Sequence, residues 1–136
     1  MENTELIKCA KIAMENAYVP YSNFRVGAAL LTENDEIYTG CNIENAAYGS
    51  TNCAERTALF KAVSEGKRNF KSIAIISDSD DFTYPCGICR QTLAEFSTNI
   101  EVIVANNKCE FKLHKFSDIL PYAFTNEDLR RSNVNE

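Results

Sequence analysis

The sequence predicts a three-layer α/β/α domain built on a mixed, mostly five-stranded sheet. Three observations lead there: an amphipathic helix opens the chain, two strand-like segments joined by a polar turn follow it, and helical stretches then alternate with short apolar runs. Helices alternating with apolar strands mark a sheet covered on both faces, and the hairpin adds antiparallel pairing to it. With 136 residues the chain fits a single domain, 1–136, long enough to bury a core without disulfide staples.

The first helix is expected from Thr4 to Tyr18, with Leu6, Ala10, Ala13 and Ala17 on one side, Ile7 and Met14 nearby, and Pro20 as its end. Phe24 to Leu31 and Glu36 to Glu44 read as strands joined through Glu33-Asn34-Asp35, residues that tolerate tight backbone turns. Side chains alternate across a pleat, so Asn42 and Glu44 share one face of the second strand. Cys53 to Glu65 has helical composition, with Gly66 as a stop. Ile73-Ala74-Ile75-Ile76 lies in a buried strand running from Ser72 to Ser77. After a polar loop, Pro85 introduces a helix from Cys86 to Phe96. Glu101 to Ala105 and Glu110 to His114 supply two more strands, and Ser117 to Leu120 and Asn126 to Arg131 are short helices. Residues 127–136 read as a frayed polar tail.

The net charge is -5 and the basic residues are scattered, so the positive footprint required by a phosphate polymer is missing. A small neutral substrate suits this surface better. The opening segment has neither a basic n-region nor an apolar run, and no stretch reaches the length of a membrane span. Six cysteines without an export signal point to a reducing compartment, and cytoplasmic localisation is the expectation.

Within that frame one constellation carries chemistry: Cys53-Ala54-Glu55, followed by Pro85-Cys86-Gly87-Ile88-Cys89. Three thiolates hold one zinc ion and leave its fourth position open, the mark of a catalytic site. Cys53 and Cys86 fall at helix starts, where unpaired N–H groups and the helix dipole favour negative charge. Bound zinc lowers the pKa of water from about 15.7 toward ~7, and Glu55 is placed to take the released proton. Three thiolates leave the ion with net negative charge, which weakens it as an acid. Arg56, a permanent cation beside Glu55, is the candidate to offset that by bonding to the sulfurs.

Other readings stand beside this one. Cys86 and Cys89 alone match a redox dithiol. A closed structural zinc site requires a fourth protein ligand, for which His114, Cys41 and Cys109 are candidates without convincing spacing. His114 reads as a strand or surface residue, Cys9 and Cys41 as small buried hydrophobes, and Cys109 as a strand-edge residue. Phe24, Tyr48 and Phe124 have the ordinary reading of core or interface aromatics.

The chain resembles the cytidine deaminases of the short, three-cysteine, nucleoside-acting type. The resemblance runs through Tyr18-Val19-Pro20-Tyr21-Ser22, Phe24 to Leu30, Cys41 to Tyr48, Cys53-Ala54-Glu55-Arg56, Pro85 to Gln91 and Leu120 to Phe124. This zinc-deaminase chemistry is a known pattern, with a three-cysteine or His-containing ligand set and a non-ligating Glu. The resemblance implies that Cys53, Cys86 and Cys89 bind one zinc per subunit. It also implies that hydroxide attacks C4 of cytosine while Glu55 shuttles protons, with ammonia expelled to give uridine. By the same likeness Asn42 and Glu44 bond the ribose hydroxyls, Phe24 packs near the base or sugar, and the Ala54 N–H meets the base carbonyl. Tyr48 and Phe124 match positions that reach into neighbouring active sites of a homotetramer. The implied activity is deamination of cytidine and 2′-deoxycytidine in pyrimidine salvage. Two alternatives remain: a zinc-stabilised structural or interaction module, and a deaminase of another cytosine-containing substrate. Relatives acting on polynucleotides usually carry His at the position of Cys53 and a basic surface, and this chain has neither.

Overall fold

The structure, a computed structural model, describes residues 1–129. Its elements are α1 (Asn3–Met14), β1 (Val26–Thr32), β2 (Ile37–Cys41), a 3-10 turn (Tyr48–Ser50), α2 (Ala54–Ser64), β3 (Phe70–Ser77), α3 (Gly87–Phe96), β4 (Glu101–Ala105), β5 (Phe111–Lys115) and α4 (Phe116–Ile119). The five strands form one sheet in the order β2-β1-β3-β4-β5. β1 runs antiparallel to β2 and β3, β3 is parallel to β4, and β5 is antiparallel to β4. The sheet is therefore mixed and five-stranded, as expected.

The central strands are buried on both faces, so their apolar side chains divide by parity. Val26, Ala28 and Leu30 of β1 join Ile73, Ile75, Val102 and Val104 beneath α2, α3 and α4. Ala29 and Leu31 turn the other way, to join Ala74, Ile76, Ile103 and Ala105 beneath α1. Two glycines set how closely the helices approach. A Cβ on Gly27 would lie 2.0 Å from the Ala10 carbonyl oxygen, and one on Gly40 would lie 2.5 Å from Ala58 N and 2.7 Å from Ala54 O. Backbone contact at Gly40 thus holds the first turn of α2, which carries the candidate site, directly on β2.

Several boundaries differ from expectation. α1 ends at Met14 and does not reach Tyr18. Glu15, Asn16 and Ala17 tighten into i→i−3 bonds, and Tyr18 leaves to form a bridge with Ile43. The second strand ends at Cys41, short of Asn42 and Glu44. Their period-two relation is kept by other bonds: Tyr18 N donates to Asn42 O at 3.0 Å, Glu44 N donates to Tyr18 O at 2.8 Å, and Ile43 exchanges two 2.9 Å bonds with Asn52. Cys109 is not at a strand edge but in the turn before β5, in the left-handed region at φ 64°. Cys9 and Cys41 are half-buried and not fully enclosed. Residues 126–129 are helical, while 130–136, with most of the expected tail and the end of the expected helix, lie outside the described residues.

Candidate active site

Cys53 and Cys86 occupy equivalent positions in the fold. Each is the extended residue preceding a helix, Cys53 at φ -76° and ψ 156° before α2, Cys86 at φ -68° and ψ 168° before α3. Ser, Thr, Asp or Asn is the usual residue there, its oxygen accepting an orphan N–H. Here the acceptor at α3 is sulfur, with Cys89 N donating to Cys86 Sγ at 3.4 Å. The positive end of α2 favours negative charge at Cys53.

The two helix starts bring the Sγ atoms of Cys53, Cys86 and Cys89 within 4.8 Å of one another. Cys53 and Cys86 are 3.6 Å apart. A tetrahedral zinc with Zn–S bonds of about 2.3 Å needs sulfurs about 3.8 Å apart, so the donor set fits a single ion. Among the described residues no fourth histidine, cysteine or carboxylate joins the group. His114 is engaged elsewhere, its Nε2 lying 3.0 Å from the Tyr84 hydroxyl. The described residues thus offer three candidate ligands for one ion, two of them in the wall of a cleft.

The protons on the sulfurs are unevenly held. The Cys53 thiol is pushed down to about 5, first by a hydrogen bond with Cys89, with Arg56 and Cys86 adding to it against the cost of burial. Cys89 is pushed up, first by the same bond and then by its burial and the nearby Glu55 charge. Arg56 Nη2 donates to Cys53 Sγ at 3.6 Å and to Thr51 O at 3.3 Å. Its buried Nε has no hydrogen-bond partner among the described residues, leaving a donor beside the sulfurs. Glu55, only 4% exposed, is raised to about 7, chiefly by burial and further by the Cys53 charge.

A cleft of about 190 Å³ opens over this group. Phe24, Asn42 and Ala54 line it together with Cys53, Glu55 and Cys86. A larger hollow of about 300 Å³ around Asn99, Glu101 and Ser117 has no cysteine in its wall. Five expected residues lie outside the cleft lining: Cys89, fully buried behind it, Arg56, and Glu44, Tyr48 and Phe124. Glu44 is held by the Tyr21-Ser22 turn. Tyr48 is 78% exposed and meets Tyr21 edge-to-face at 6.2 Å. Phe124 is also exposed, with Gln91 Nε2 donating to its carbonyl at 2.7 Å.

Sequence reasoning passed over Val26, Thr51, Asn52, Thr83 and Tyr84, which complete the wall. All but Val26 are loop residues without a periodic pattern. One usable signal existed: Thr83 and Tyr84 immediately precede the Pro85-Cys86 helix start, so they had to lie near the sulfurs.

These features agree with three comparisons. Residues 1–106 match the family model described as the cytidine and deoxycytidylate deaminase zinc-binding region. A cytidine deaminase of Sporosarcina psychrophila is 52% identical over 130 residues, spanning 95% of this chain and 96% of the relative. One from Halalkalibacterium halodurans is 50% identical over 95% of this chain and 98% of its own. The crystal structure of cytidine deaminase from Burkholderia pseudomallei superposes with a TM-score of 0.88 at 46% identity, over 91% of this chain and 100% of that one. With the three-sulfur centre and the buried carboxylate in place, the chain belongs to the cytidine and deoxycytidylate deaminase family, whose shared feature is this zinc-binding region.

Proposed function

We propose that this chain is a zinc-dependent hydrolase that deaminates cytidine and 2′-deoxycytidine to the uracil nucleosides and ammonia. The observation that carries the reading is a group of three sulfurs within 4.8 Å of one another, two of which, Cys53 and Cys86, line one cleft with the buried Glu55. A structural zinc site has no use for a carboxylate beside an open ligand position. Zinc held by Cys53, Cys86 and Cys89 makes deprotonated water available near neutral pH.

Glu55 moves two protons. It takes one from the attacking water and delivers it to N3 of the pyrimidine as the C4–O bond forms. It then carries the proton of the new C4 hydroxyl to the amine, which leaves as ammonia as the C4 carbonyl forms. A carboxyl raised to about 7 suits a group that must both accept and return protons near neutral pH. The free N–H of Ala54, in the first turn of α2, donates to the base carbonyl. Asn42 and Glu44 receive the sugar hydroxyls, and Phe24 forms a wall of the base pocket.

Arg56 tempers the charge of the three sulfurs. Arg56→Ala is expected to weaken zinc affinity about tenfold and to lower turnover with it, within the range typical of groups that support metal ligands. Competition with a chromogenic chelator measures the first, and unchanged affinity and turnover would remove Arg56 from the site.

The exposed Tyr48 and Phe124 fit a homotetramer in which each reaches a neighbouring cleft, so the active form is the assembly. No described helix is long and apolar enough to cross a membrane, and none of the six cysteines is paired in a disulfide. Both fit an enzyme of cytoplasmic pyrimidine salvage acting on a small nucleoside.

The direct test is an ultraviolet assay of purified protein, with zinc measured alongside, on cytidine, 2′-deoxycytidine, cytosine, adenosine and a cytosine-containing oligonucleotide. Turnover of the two cytosine nucleosides alone is expected. Zinc-loaded protein inert toward both would favour the structural module.

A further inference from the structure

The geometry points to Ser22 as a positioning residue for sugar recognition: its hydroxyl links Glu44 to the backbone of Phe24, and so ties Glu44 to Asn42. The inference rests on the proposed roles of Glu44 and Asn42 as ligands of the nucleoside sugar.

Glu44 is a flexible carboxylate beside the cleft, and an unrestrained one would lose rotamer freedom on meeting a substrate. The turn before β1 removes that freedom in advance. Tyr21 N donates to Glu44 Oε1 at 3.0 Å and Ser22 N donates to the same oxygen at 3.1 Å, while Ser22 Oγ donates to Oε2. The Ser22 bond is the foremost influence holding the Glu44 carboxyl below its ordinary range, so Glu44 stays ionised. A carboxylate offers about four acceptor positions. Three are taken, and the remaining one is on Oε2, the oxygen that Ser22 fixes.

The proton direction follows from the second partner of Ser22. Phe24 N donates to Ser22 Oγ at 3.0 Å, so the single hydroxyl proton is free to point at Glu44. From Phe24 the circuit continues, because Asn42 Nδ2 donates to Phe24 O at 2.8 Å and Val26 N donates to Asn42 Oδ1 at 2.9 Å. Only a carbonyl accepts and only an amide NH2 donates, so these two bonds set the orientation of the Asn42 side chain. One N–H of Asn42 remains to donate, and one lone pair of Glu44 remains to accept. A sugar hydroxyl, donor and acceptor at once, matches that pair. Asn23, between Ser22 and Phe24, takes the left-handed conformation at φ 58°, which asparagine tolerates better than most residues. It turns the chain so that Ser22 and Phe24 meet.

Ser22→Ala is expected to lower kcat/KM for cytidine about 5- to 20-fold, less than the full loss of a hydrogen bond to a charged group because Tyr21 N and Ser22 N still hold Oε1. The change should fall mainly in KM, with zinc content and Tm retained, and Ser22→Thr should restore most of it. With 2′,3′-dideoxycytidine, which lacks both sugar hydroxyls, wild type and Ser22→Ala should agree within about twofold. Should that analogue turn over too slowly, the same question is put by adding Ser22→Ala to Glu44→Ala with cytidine, where no further loss is expected. An equal loss on both substrates, a full additional loss in the Glu44→Ala background, or no loss on cytidine would each overturn the role of Ser22. Failure of the zinc-loaded wild type to deaminate cytidine at all would instead defeat the nucleoside reading, and this inference with it.

Discussion

Glu55→Ala is expected to retain zinc and to lower kcat for cytidine by at least about 10²- to 10⁴-fold, the usual contribution of a positioned proton-transfer group. Metal retention follows from the proposed ligand set, since its three donors are sulfurs of other residues. The size of the loss follows from the lack of a substitute: Glu55 is the carboxylate that lines the cleft beside the sulfurs. Folding should not suffer, because a carboxyl that burial has raised to about 7 is a strained occupant of its position, not a stabilising one. Glu55→Gln, which keeps the volume, should give the same kinetic result and remove the cavity as an explanation. Zinc content by atomic absorption, kcat and Tm together decide the matter. Turnover within tenfold of wild type would move the proton shuttle to another group.

Cys86→Ala is expected to abolish stoichiometric zinc binding, reduce turnover to background and lower Tm by about 10 °C or more. Two losses combine. The helix α3 loses the sulfur that accepts from Cys89 N, a cap on the order of 1 kcal/mol. The folded state also loses a ligand that binds it selectively, which contributes about 4 kcal/mol when free metal is a thousandfold above Kd. Together these move Tm by several degrees per kcal/mol for a chain of this size. A chelator provides the control: it should lower the wild-type Tm toward that of Cys86→Ala and leave the variant unchanged. A variant whose Tm still fell on chelation would retain the metal without Cys86.

The contrast between these residues and their neighbours explains what was legible in the sequence. Cys53, Cys86, Cys89 and Glu55 were visible because their spacing is short and their chemistry uncommon, and two of the sulfurs stand where a cap is expected. The apolar runs of β3 and β4 were visible because strands covered on both faces admit few polar residues. Helix α1 was overextended by four residues, since the periodic apolar pattern continues to Ala17 while Tyr18 is drawn into a bridge with Ile43. A partner 25 positions away leaves no local trace. Glu44 was identified through a motif, but its attachment to Ser22 depends on a turn that no periodicity reports.

By itself the sequence determined the layered α/β class, the three candidate metal-binding cysteines, the adjoining carboxylate and, through its resemblance, the family. These depend on residue type and short-range spacing. The strand order β2-β1-β3-β4-β5, the approach of two helix starts 33 residues apart and the Glu44–Ser22–Phe24–Asn42 circuit were decided only by the tertiary structure. Each joins segments distant along the chain, and burial of both sheet faces against helices, with backbone contact at Gly27 and Gly40, is what brings them together.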